Sequence, residues 1–280
     1  MARMIGFWKM HGLGNDYIVI DNRGKILDEQ ELPSLAIKLC ERRFGIGADG
    51  LLLVHPSQRV DVKMRIFNPD GSEAEMCGNG IRCLAKYCFE SGLTRKTSLL
   101  VETMAGIKTL SLKIEGDTVK SVRVIMGSPS FEAEEVPIKW NGPFIDKPIR
   151  VGETTVKATA LSMGNPHCVV FIENVENYPV KTIGPLLENH ELFPRRANVE
   201  FVQVISKDRL KVRVWERGVG ETMACGTGAC ASVVAAKILG KVNEAVTVRL
   251  PGGELIVEYR NGVVVMEGPV EKVFEGIINL

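Results

Sequence analysis

Two cysteines, Cys77 and Cys225, each begin a short turn of glycine and polar residues that can support acid–base chemistry. The sequence reads MCGNG at 76–80 and ACGTG at 224–228. Because glycine adopts backbone conformations closed to other residues, successive N–H groups of each turn can converge on one point. A helix is predicted to follow each turn, so its first N–H groups and its dipole should attract a carboxylate, and at Cys77 the same field should favour thiolate over thiol.

Two such thiols can perform a reaction that one alone cannot. If they face one substrate from opposite sides, a thiolate removes the proton from the carbon beside a carboxylate, and the opposite thiol returns a proton to the other face. The product has inverted stereochemistry, and the chemistry requires no cofactor. Because the acid and the base need different protonation states, the pair should share one ionisation. Converging N–H donors in a closed cavity would stabilise the carbanion.

The alternative interpretation of a free cysteine is a small buried apolar residue. It suits the other five cysteines: Cys40, Cys83, Cys88, Cys168 and Cys230. It suits Cys77 and Cys225 less well, because their glycine flanks recur. A metal site is not expected, since the chain has no C-x-x-C pair and its four histidines lack ligand spacing. Neither turn matches a phosphate loop or a dinucleotide-binding fingerprint.

The segments around the two turns belong to a longer internal similarity. Cys77 and Cys225 are 148 residues apart (225 − 77), and Asn15 and Asn165 are 150 apart (165 − 15). The matched segments are GNDYIVI (14–20) with GNPHCVV (164–170), RRFGIGADGLLLV (42–54) with RRANVEFVQV (195–204), and KMRIFNPDGSEAEMCGNG (63–80) with KVRVWERGVGETMACGTG (211–228). Three matches in one order indicate a duplication rather than chance identity of glycine and lysine.

The duplication predicts two domains, residues 1–126 and 127–269, with a proline-rich connector at 127–148. Short, β-branched and largely alternating runs predict that each domain is mainly strand. Each domain also has two predicted helices, and the second of these follows the cysteine turn and ends at Gly92 or Gly240. Since GACASVVAAKIL is small and apolar nearly all round, that helix should be enclosed by strands. The predicted fold class is therefore α+β.

Composition sets further limits. The chain has 280 residues, 45% hydrophobic and 25% charged, and its 35 basic and 34 acidic residues give a net charge of +1. That balance gives no support for a nucleic-acid or membrane-surface partner. The start lacks a signal-peptide core, no stretch approaches the length of a membrane helix, and seven cysteines do not suggest a disulfide framework. We expect a cytoplasmic protein; its oligomeric state stays open, a homodimer included.

The same residues resemble those of diaminopimelate epimerases, cofactor-independent enzymes of lysine and peptidoglycan-precursor synthesis. The similar blocks are KMHGLGNDY (9–17), RRFGIGADGLL (42–52), RIFNPDGSEAEMCGNGIRC (65–83), SMGNPHCV (162–169), RRANVEFVQV (195–204) and WERGVGETMACGTGACA (215–231). The resemblance implies two similar domains, each a β-barrel-like sheet wrapped around a central helix, with the active site in the cleft between them. It also implies that the last strand, about 270–280, returns to the first domain.

The resemblance implies a role for each residue that matches the family's motifs. Cys77 and Cys225 are the acid and base, and no cofactor is involved. The α-carboxylate of a small amino-acid substrate lies on the backbone of Gly78, Asn79, Gly226 and Thr227. Its α-ammonium meets Glu216 and His167, which also tune the thiols. The far end of the substrate is held by Asn15, Asn68, Asn165, Asn198 and Arg217. The expected reaction is epimerisation of L,L-diaminopimelate to the meso form.

Ordinary structural roles stay open for several of these residues. Asn15 and Asn198 suit turns, His167 suits a structural histidine, and Glu216 with Arg217 suits a solvated surface pair.

Some family members carry glutamine where this chain has Gly50, so a contact made by that side chain must here be absent or replaced by water. The rival functions are a racemase of proline, hydroxyproline or histidine on the same fold, and a non-catalytic small-anion-binding protein. Asn79 disfavours the first rival, because proline-racemase relatives usually have histidine after the first Cys-Gly.

Overall fold

The computed structural model describes residues 3–280 and divides into two compact units. Unit 1 contains the described residues up to Val124 together with Gly268–Leu280, and unit 2 is Ile125–Glu267. The boundary expected from the duplication, after residue 126, lies two residues beyond Val124. No helix within residues 3–280 is long and apolar enough to span a membrane.

Strands make up most of both units. They are β1 (Met4–Gly12), β2 (Asn15–Asp21), β3 (Gly50–His55), β4 (Val62–Phe67), β5 (Glu73–Ala74), β6 (Ser98–Thr103), β7 (Gly106–Glu115), β8 (Thr118–Gly127), β9 (Lys147–Val151), β10 (Thr154–Ser162), β11 (Pro166–Phe171), β12 (Asn198–Ser206), β13 (Arg209–Glu216), β14 (Gly220–Thr222), β15 (Ala245–Leu250), β16 (Gly253–Arg260), β17 (Val263–Pro269) and β18 (Glu271–Asn279). The helices are α1 (Leu32–Cys40), α2 (Gly78–Glu90), α3 (Val180–Glu188) and α4 (Gly226–Ile238), with a 3₁₀ turn at Glu29–Glu31.

The sheet of unit 1 has the strand order β18, β1, β2, β3, β4, β6, β7, β8, with β5 paired to β4. Two neighbouring pairs are parallel, β2 with β3 and β4 with β6, and the others are antiparallel. A parallel pair needs a crossover connection. Helix α1 supplies it for the first pair and α2 for the second.

The sheet of unit 2 repeats this topology. Its order is β9, β10, β11, β12, β13, β15, β16, β17, with β14 paired to β13. The parallel pairs are β11 with β12 and β13 with β15, crossed by α3 and α4. Strand β18 occupies in unit 1 the position that β9 occupies in unit 2. The two units thus share one fold, as the internal similarity indicates.

A buried helix forms the centre of each unit. Eleven of the 13 residues of α2 and ten of the 13 residues of α4 are buried, so each helix is covered on nearly every side. Helix α4 contacts β10 to β13, β15 and β16, and α2 contacts β1 to β4 and β7. Both helices are followed by a glycine with positive φ, 80° at Gly92 and 66° at Gly240. The predicted α+β fold with an enclosed helix is confirmed.

An ion pair braces the hairpin ahead of each cysteine turn. Arg65 Nε lies 2.7 Å from Glu73 Oε1 in unit 1, and Arg213 Nε lies 2.7 Å from Glu221 Oε1 in unit 2. Both pairs are partly buried and occupy matching places in the two copies, 148 residues apart. The Arg65–Glu73 pair is bidentate, with Nη2 also 2.9 Å from Oε2, and Arg213 adds hydrogen bonds from Nη1 to backbone carbonyls, so both guanidinium groups are held in a fixed geometry. The two hairpins therefore place Cys77 and Cys225 at the start of the following helix with similar backbone geometry.

The last strand fits tightly against the first, and we expect Gly276→Val to destabilise the protein. Gly276 pairs with Phe7, and a Cβ at position 276 would lie 2.9 Å from two carbons of the buried Phe7 ring. Overpacking of this kind costs about 1–3 kcal/mol in the free energy of unfolding, which urea denaturation measures. The matched control is Gly6→Val on the neighbouring strand, where no atom lies within 4 Å of the new Cβ. Equal losses in both variants would contradict the tight packing of β18.

Candidate active site

The predicted site residues fall into two groups, one in each unit. Unit 1 holds Asn15, Asn68, Cys77, Gly78 and Asn79. Unit 2 holds Asn165, His167, Asn198, Glu216, Arg217, Cys225, Gly226 and Thr227. Each cysteine is the N-cap of its central helix, with extended backbone at φ −138° for Cys77 and −120° for Cys225. Both thiols therefore stand beside a helix end, as the sequence predicts.

In unit 1, three side chains meet around Asn15. Cys77 Sγ lies 2.8 Å from the hydroxyl of Tyr17 and 3.8 Å from Asn15 Oδ1. The Tyr17 hydroxyl also donates a hydrogen bond to Asn15 Oδ1. Asn79 Nδ2 donates to the same oxygen at 3.1 Å. Cys77 is half-buried, whereas the other six cysteines are buried.

Charged neighbours determine the orientation of these two amides. Asn15 Nδ2 donates to Asp49 Oδ2 at 2.8 Å, and Asn79 Oδ1 accepts from Arg82 Nη2 at 3.0 Å. A carboxylate can only accept and a guanidinium can only donate, so neither amide can be reversed without losing its partner. Asn15 Oδ1 is consequently the atom that faces the thiol.

Asn68 and Gly50 also belong to unit 1, and their surroundings differ. Asn68 follows β4 and donates from Nδ2 to Ser72 Oγ at 3.0 Å, within a turn closed by Gly71. At Gly50 a Cβ would meet Phe67 O at 3.1 Å and two carbons of the Tyr17 ring at 3.3 Å. The expectation that the contact of a glutamine side chain is absent or replaced by water at Gly50 stays a prediction, and the Tyr17 ring lies against this glycine.

In unit 2, a chain of hydrogen bonds leads from a buried carboxylate to the second thiol. Glu200 Oε1 lies 2.7 Å from His167 Nδ1, and both side chains are fully buried. His167 Nε2 lies 2.9 Å from Asn165 Oδ1, and Asn165 Nδ2 lies 3.4 Å from Thr227 Oγ1. Thr227 Oγ1 is 3.5 Å from Cys225 Sγ. The hydrogen bond between Glu200 and Nδ1 orients the imidazole ring.

The surroundings of Cys225 favour the thiol over the thiolate. Burial raises the pKa of the Cys225 thiol well above its ordinary value, and the carboxyl groups of Glu216 and Glu200 raise it further. The helix end acts in the opposite direction, since the Gly228 N–H donates to Sγ at 3.3 Å, but it is outweighed. The helix N-terminus therefore does not make the thiolate the favoured form at Cys225.

Glu216 has a raised pKa of its own. Burial is the main cause and the charge of Glu200 adds to it, while a hydrogen bond from Thr222 Oγ1 to Glu216 Oε1, at 2.6 Å, opposes it. The side chain also hydrogen-bonds with Cys225. Glu216 and Cys225 thus form a closely linked acid pair in which two negative charges would repel each other.

Asn198 and Arg217 are joined through the backbone. Asn198 Oδ1 accepts from the Arg217 N–H at 3.0 Å, while its Nδ2 donates to Pro166 O at 3.0 Å. The Arg217 guanidinium donates to Arg195 O at 3.2 Å. Glu188 completes the support of this turn, because it accepts from the Gly218 N–H at 2.8 Å. Asn198 therefore positions Arg217.

Sequence reasoning overlooked Tyr17 and Glu200. The signal for Tyr17 was present in the aligned segments GNDYIVI and GNPHCVV, which place it on His167. The signal for Glu200 is an acidic residue inside the apolar strand NVEFV, since a carboxylate in a buried strand needs a specific partner. Within residues 3–280, no group of three or more His, Cys, Asp or Glu side chains is arranged to hold a metal ion.

Comparison with known proteins identifies the family. A family model described as Diaminopimelate epimerase matches residues 7–132 and 159–273. The chain belongs to the diaminopimelate epimerase family. A protein named diaminopimelate epimerase from Moorella thermoacetica is 54% identical over 273 residues, covering 96% of this chain and 98% of the relative. One of the same name from Pelotomaculum thermopropionicum is 51% identical over 272 residues, covering 96% and 97%.

Solved structures share the fold at much lower identity. A hydroxyproline epimerase from Agrobacterium vitis matches with a TM-score of 0.75 and 16% identity, covering 99% of this chain and 93% of that one. This likeness supports the fold alone. The diaminopimelate epimerase family is thus identified by sequence, and the structure places Cys77 and Cys225 at helix N-termini.

The raised pKa of Glu216 predicts a pH-dependent gain in stability for Glu216→Gln. The folded protein holds the Glu216 proton more tightly than the unfolded chain, in which the pKa is 4.5. The contribution of Glu216 to the free energy of unfolding therefore falls as the pH rises from 4.5 through the folded pKa. Glutamine keeps an oxygen for Thr222 and removes this loss. Urea unfolding should show a variant-minus-wild-type difference that is larger at pH 8 than at pH 4, on the order of 1 kcal/mol.

The matched control is Glu271→Gln on the exposed surface of β18, which should show no such dependence. A Glu216→Gln difference that is the same at both pH values would contradict the burial cost assigned to this carboxyl group.

Proposed function

We propose that this protein converts L,L-diaminopimelate to meso-diaminopimelate without a cofactor, as a step of lysine biosynthesis. The observation that carries the proposal is the pair of cysteines, Cys77 and Cys225, each the N-cap of a central buried helix. They lie in a chain that is 54% identical to a relative named diaminopimelate epimerase. The protein is then an isomerase that acts on an amino acid.

The substrate's α-carboxylate binds to the helix starts. The first N–H groups of a helix have no partner four residues earlier, and the helix dipole adds positive potential there. The backbone of Gly78 and Asn79 begins α2, and that of Gly226 and Thr227 begins α4. Donors at these positions stabilise the negative charge that moves into the carboxylate when the α-proton leaves.

The two thiols divide the proton transfer between them. Cys225, whose pKa is raised, holds its proton and acts as the acid, and Cys77 acts as the base when the L,L substrate reacts. The α C–H bond breaks as an S–H bond forms on Cys77. The Cys225 S–H then delivers its proton to the opposite face of the carbon. One ionisation remains on the pair but has moved from the first thiol to the second, so the reverse reaction uses the opposite assignment.

Glu216 couples substrate binding to this transfer. With the substrate's α-ammonium beside Glu216 and His167, the carboxylate gains a positive partner. Its charge then raises the pKa of Cys225 less than in the empty protein, which eases proton release from that thiol. The buried Glu200 hydrogen-bonds to His167 and orients its imidazole ring, which stands beside the substrate's α-ammonium.

The far end of the substrate carries a second carboxylate and ammonium. Arg217 pairs with that carboxylate, because a guanidinium binds carboxylates through two parallel hydrogen bonds. Asn15, Asn68 and Asn165 supply amide donors and acceptors, and Asn198 holds the Arg217 backbone. We also propose a cytoplasmic location, since unpaired thiols persist in reducing compartments.

Replacement of either cysteine should remove epimerisation. Cys77→Ala and Cys225→Ala each delete one member of the acid–base pair, and such groups contribute about 10²–10⁴-fold each. Cys→Ser should also be strongly impaired, because a hydroxyl is a much weaker base. The measurement is deuterium incorporation at the α-carbon of L,L- and meso-diaminopimelate in D₂O.

Cys40→Ala is the control, since Cys40 is buried in the core of unit 1 and its loss should leave turnover unchanged. Full activity in either Cys77→Ala or Cys225→Ala would instead support a binding protein in which the thiols are incidental.

Arg217→Met should weaken recognition of the distal carboxylate. Loss of a charge-assisted hydrogen bond of about 1.5–3 kcal/mol predicts a KM for diaminopimelate about 10–100-fold higher. Arg209→Met is the control, because that exposed arginine pairs with Glu254 instead. Proline and histidine should racemise in neither protein. Turnover of either one in place of diaminopimelate would reject the substrate while leaving the two-thiol chemistry intact.

A further inference from the structure

A tyrosine hydroxyl contacts the sulfur of the first thiol. Tyr17 lies on β2, is 3% exposed, and places its hydroxyl 2.8 Å from Cys77 Sγ. The register of β2 and β3 sets it opposite Gly50, where a Cβ would approach two ring carbons to 3.3 Å. On the other side, a Cβ at Gly80 would lie 3.5 Å from the ring. Strand pairing and packing therefore hold the hydroxyl at the thiol.

The hydroxyl has two possible acceptors and one proton. Asp49 fixes the Asn15 amide so that its Oδ1 faces Tyr17, and an amide oxygen can only accept. When Cys77 is a thiol, the Tyr17 proton points to Asn15. When Cys77 is a thiolate, the charged sulfur is the stronger acceptor and attracts the same proton. Asn15 Oδ1 then keeps its bond from Asn79 Nδ2, at 3.1 Å, so no buried acceptor is left without a donor.

The duplication gives Tyr17 a counterpart in unit 2. Tyr17 and His167 are 150 residues apart (167 − 17), the same spacing as Asn15 and Asn165. His167 also contacts the asparagine of its own copy, with Nε2 2.9 Å from Asn165 Oδ1. Each copy thus carries a proton-bearing ring at the same position beside the same asparagine, a phenol in unit 1 and an imidazole in unit 2.

We propose that Tyr17 is a catalytic residue of the first copy, whose hydroxyl donates a hydrogen bond to the Cys77 thiolate and stabilises it. The proposal rests on the proposed function, in which Cys77 is the base. As the substrate's α-proton moves to Cys77, a C–H bond breaks and an S–H bond forms. Tyr17 keeps its own proton and returns its hydrogen bond to Asn15.

The surroundings keep this donor protonated. Burial and the nearby Cys77 raise the pKa of Tyr17 well above its ordinary value. Met10, its partner on β1, does not titrate. The other titratable or charged groups packed here are Cys83 and Arg82 on α2 and Asp49 ahead of β3, which pairs with Arg42. Burial raises the pKa of Cys83 to about 12, so Cys83 contributes no thiolate near neutral pH.

The test is the pH dependence of Cys77 alkylation in Tyr17→Phe. Iodoacetamide reacts with the thiolate, and mass spectrometry of the Cys77 peptide gives its rate at each pH. Loss of the donor should move the midpoint upward by about one pH unit, so the thiolate fraction below the midpoint falls about tenfold. The matched control is Tyr87→Phe on α2, whose ring packs on Trp8 at 4.9 Å and which should leave the midpoint unchanged.

The midpoint separates an electrostatic role from a packing role. A changed plateau rate with an unchanged midpoint means altered access only and overturns the proposal, as does a lowered midpoint. Wild-type protein labelled at the Cζ carbon of its four tyrosines gives a test that does not depend on folding of the variant. One ¹³C resonance should move with the Cys77 midpoint and lose that inflection in Cys77→Ser; four resonances unaffected by Cys77 contradict the proposal.

These measurements need no substrate, so they separate this proposal from the proposed function. A shifted midpoint in a protein that does not turn over diaminopimelate supports the tyrosine and rejects the substrate. If the wild-type enzyme turns over diaminopimelate but Tyr17→Phe leaves the midpoint of Cys77 alkylation unshifted, the proposed function is supported and the role of the tyrosine is rejected.

Discussion

A helix enclosed by a sheet can offer a ligand little except its ends, and this constraint governs both halves of the protein. The sides of α2 and α4 are covered by strands, so the N–H groups of the first turn are the polar feature each helix can present. A cysteine stands at each of these starts because the N-cap position has extended backbone and directs its side chain alongside those donors. The braced hairpins ahead of the turns keep that geometry the same in both copies.

Equal geometry does not give equal electrostatics. The second thiol lies among two carboxyl groups in a dry interior, where desolvation outweighs the helix end and keeps the proton on sulfur. The first thiol is half-buried and has a phenol and two oriented amides as neighbours. The two copies therefore share one backbone geometry at the cysteine. The side chains around each sulfur make the two thiols chemically different. An enzyme that must start with one acid and one base needs such a difference.

The sequence predicted the repeated topology, the enclosed helices and their glycine ends, because hydrophobic period and turn chemistry are local properties. It also placed both cysteines correctly at helix starts. It could not give the protonation of Cys225, because that depends first on burial and also on Glu200, which approaches through the pairing of β12 with β13. Tyr17 was missed for a similar reason: its contact with Cys77 spans 60 residues, and a tyrosine in an apolar strand has the pattern of a core residue. The role of Asn198 as support for Arg217 likewise depends on a contact across 19 residues.

The position of β18 has a consequence for how the chain folds. Met4 pairs with Asn279, so the first and last strands meet across 275 residues of sequence. During synthesis, the residues up to Val124 emerge first, yet β1 lacks its edge partner until β18 has left the ribosome. The second copy has its equivalent strand, β9, at its own beginning and meets no such delay. Contacts this distant in sequence form slowly, so the assembly of the first copy, although it is made first, should finish last.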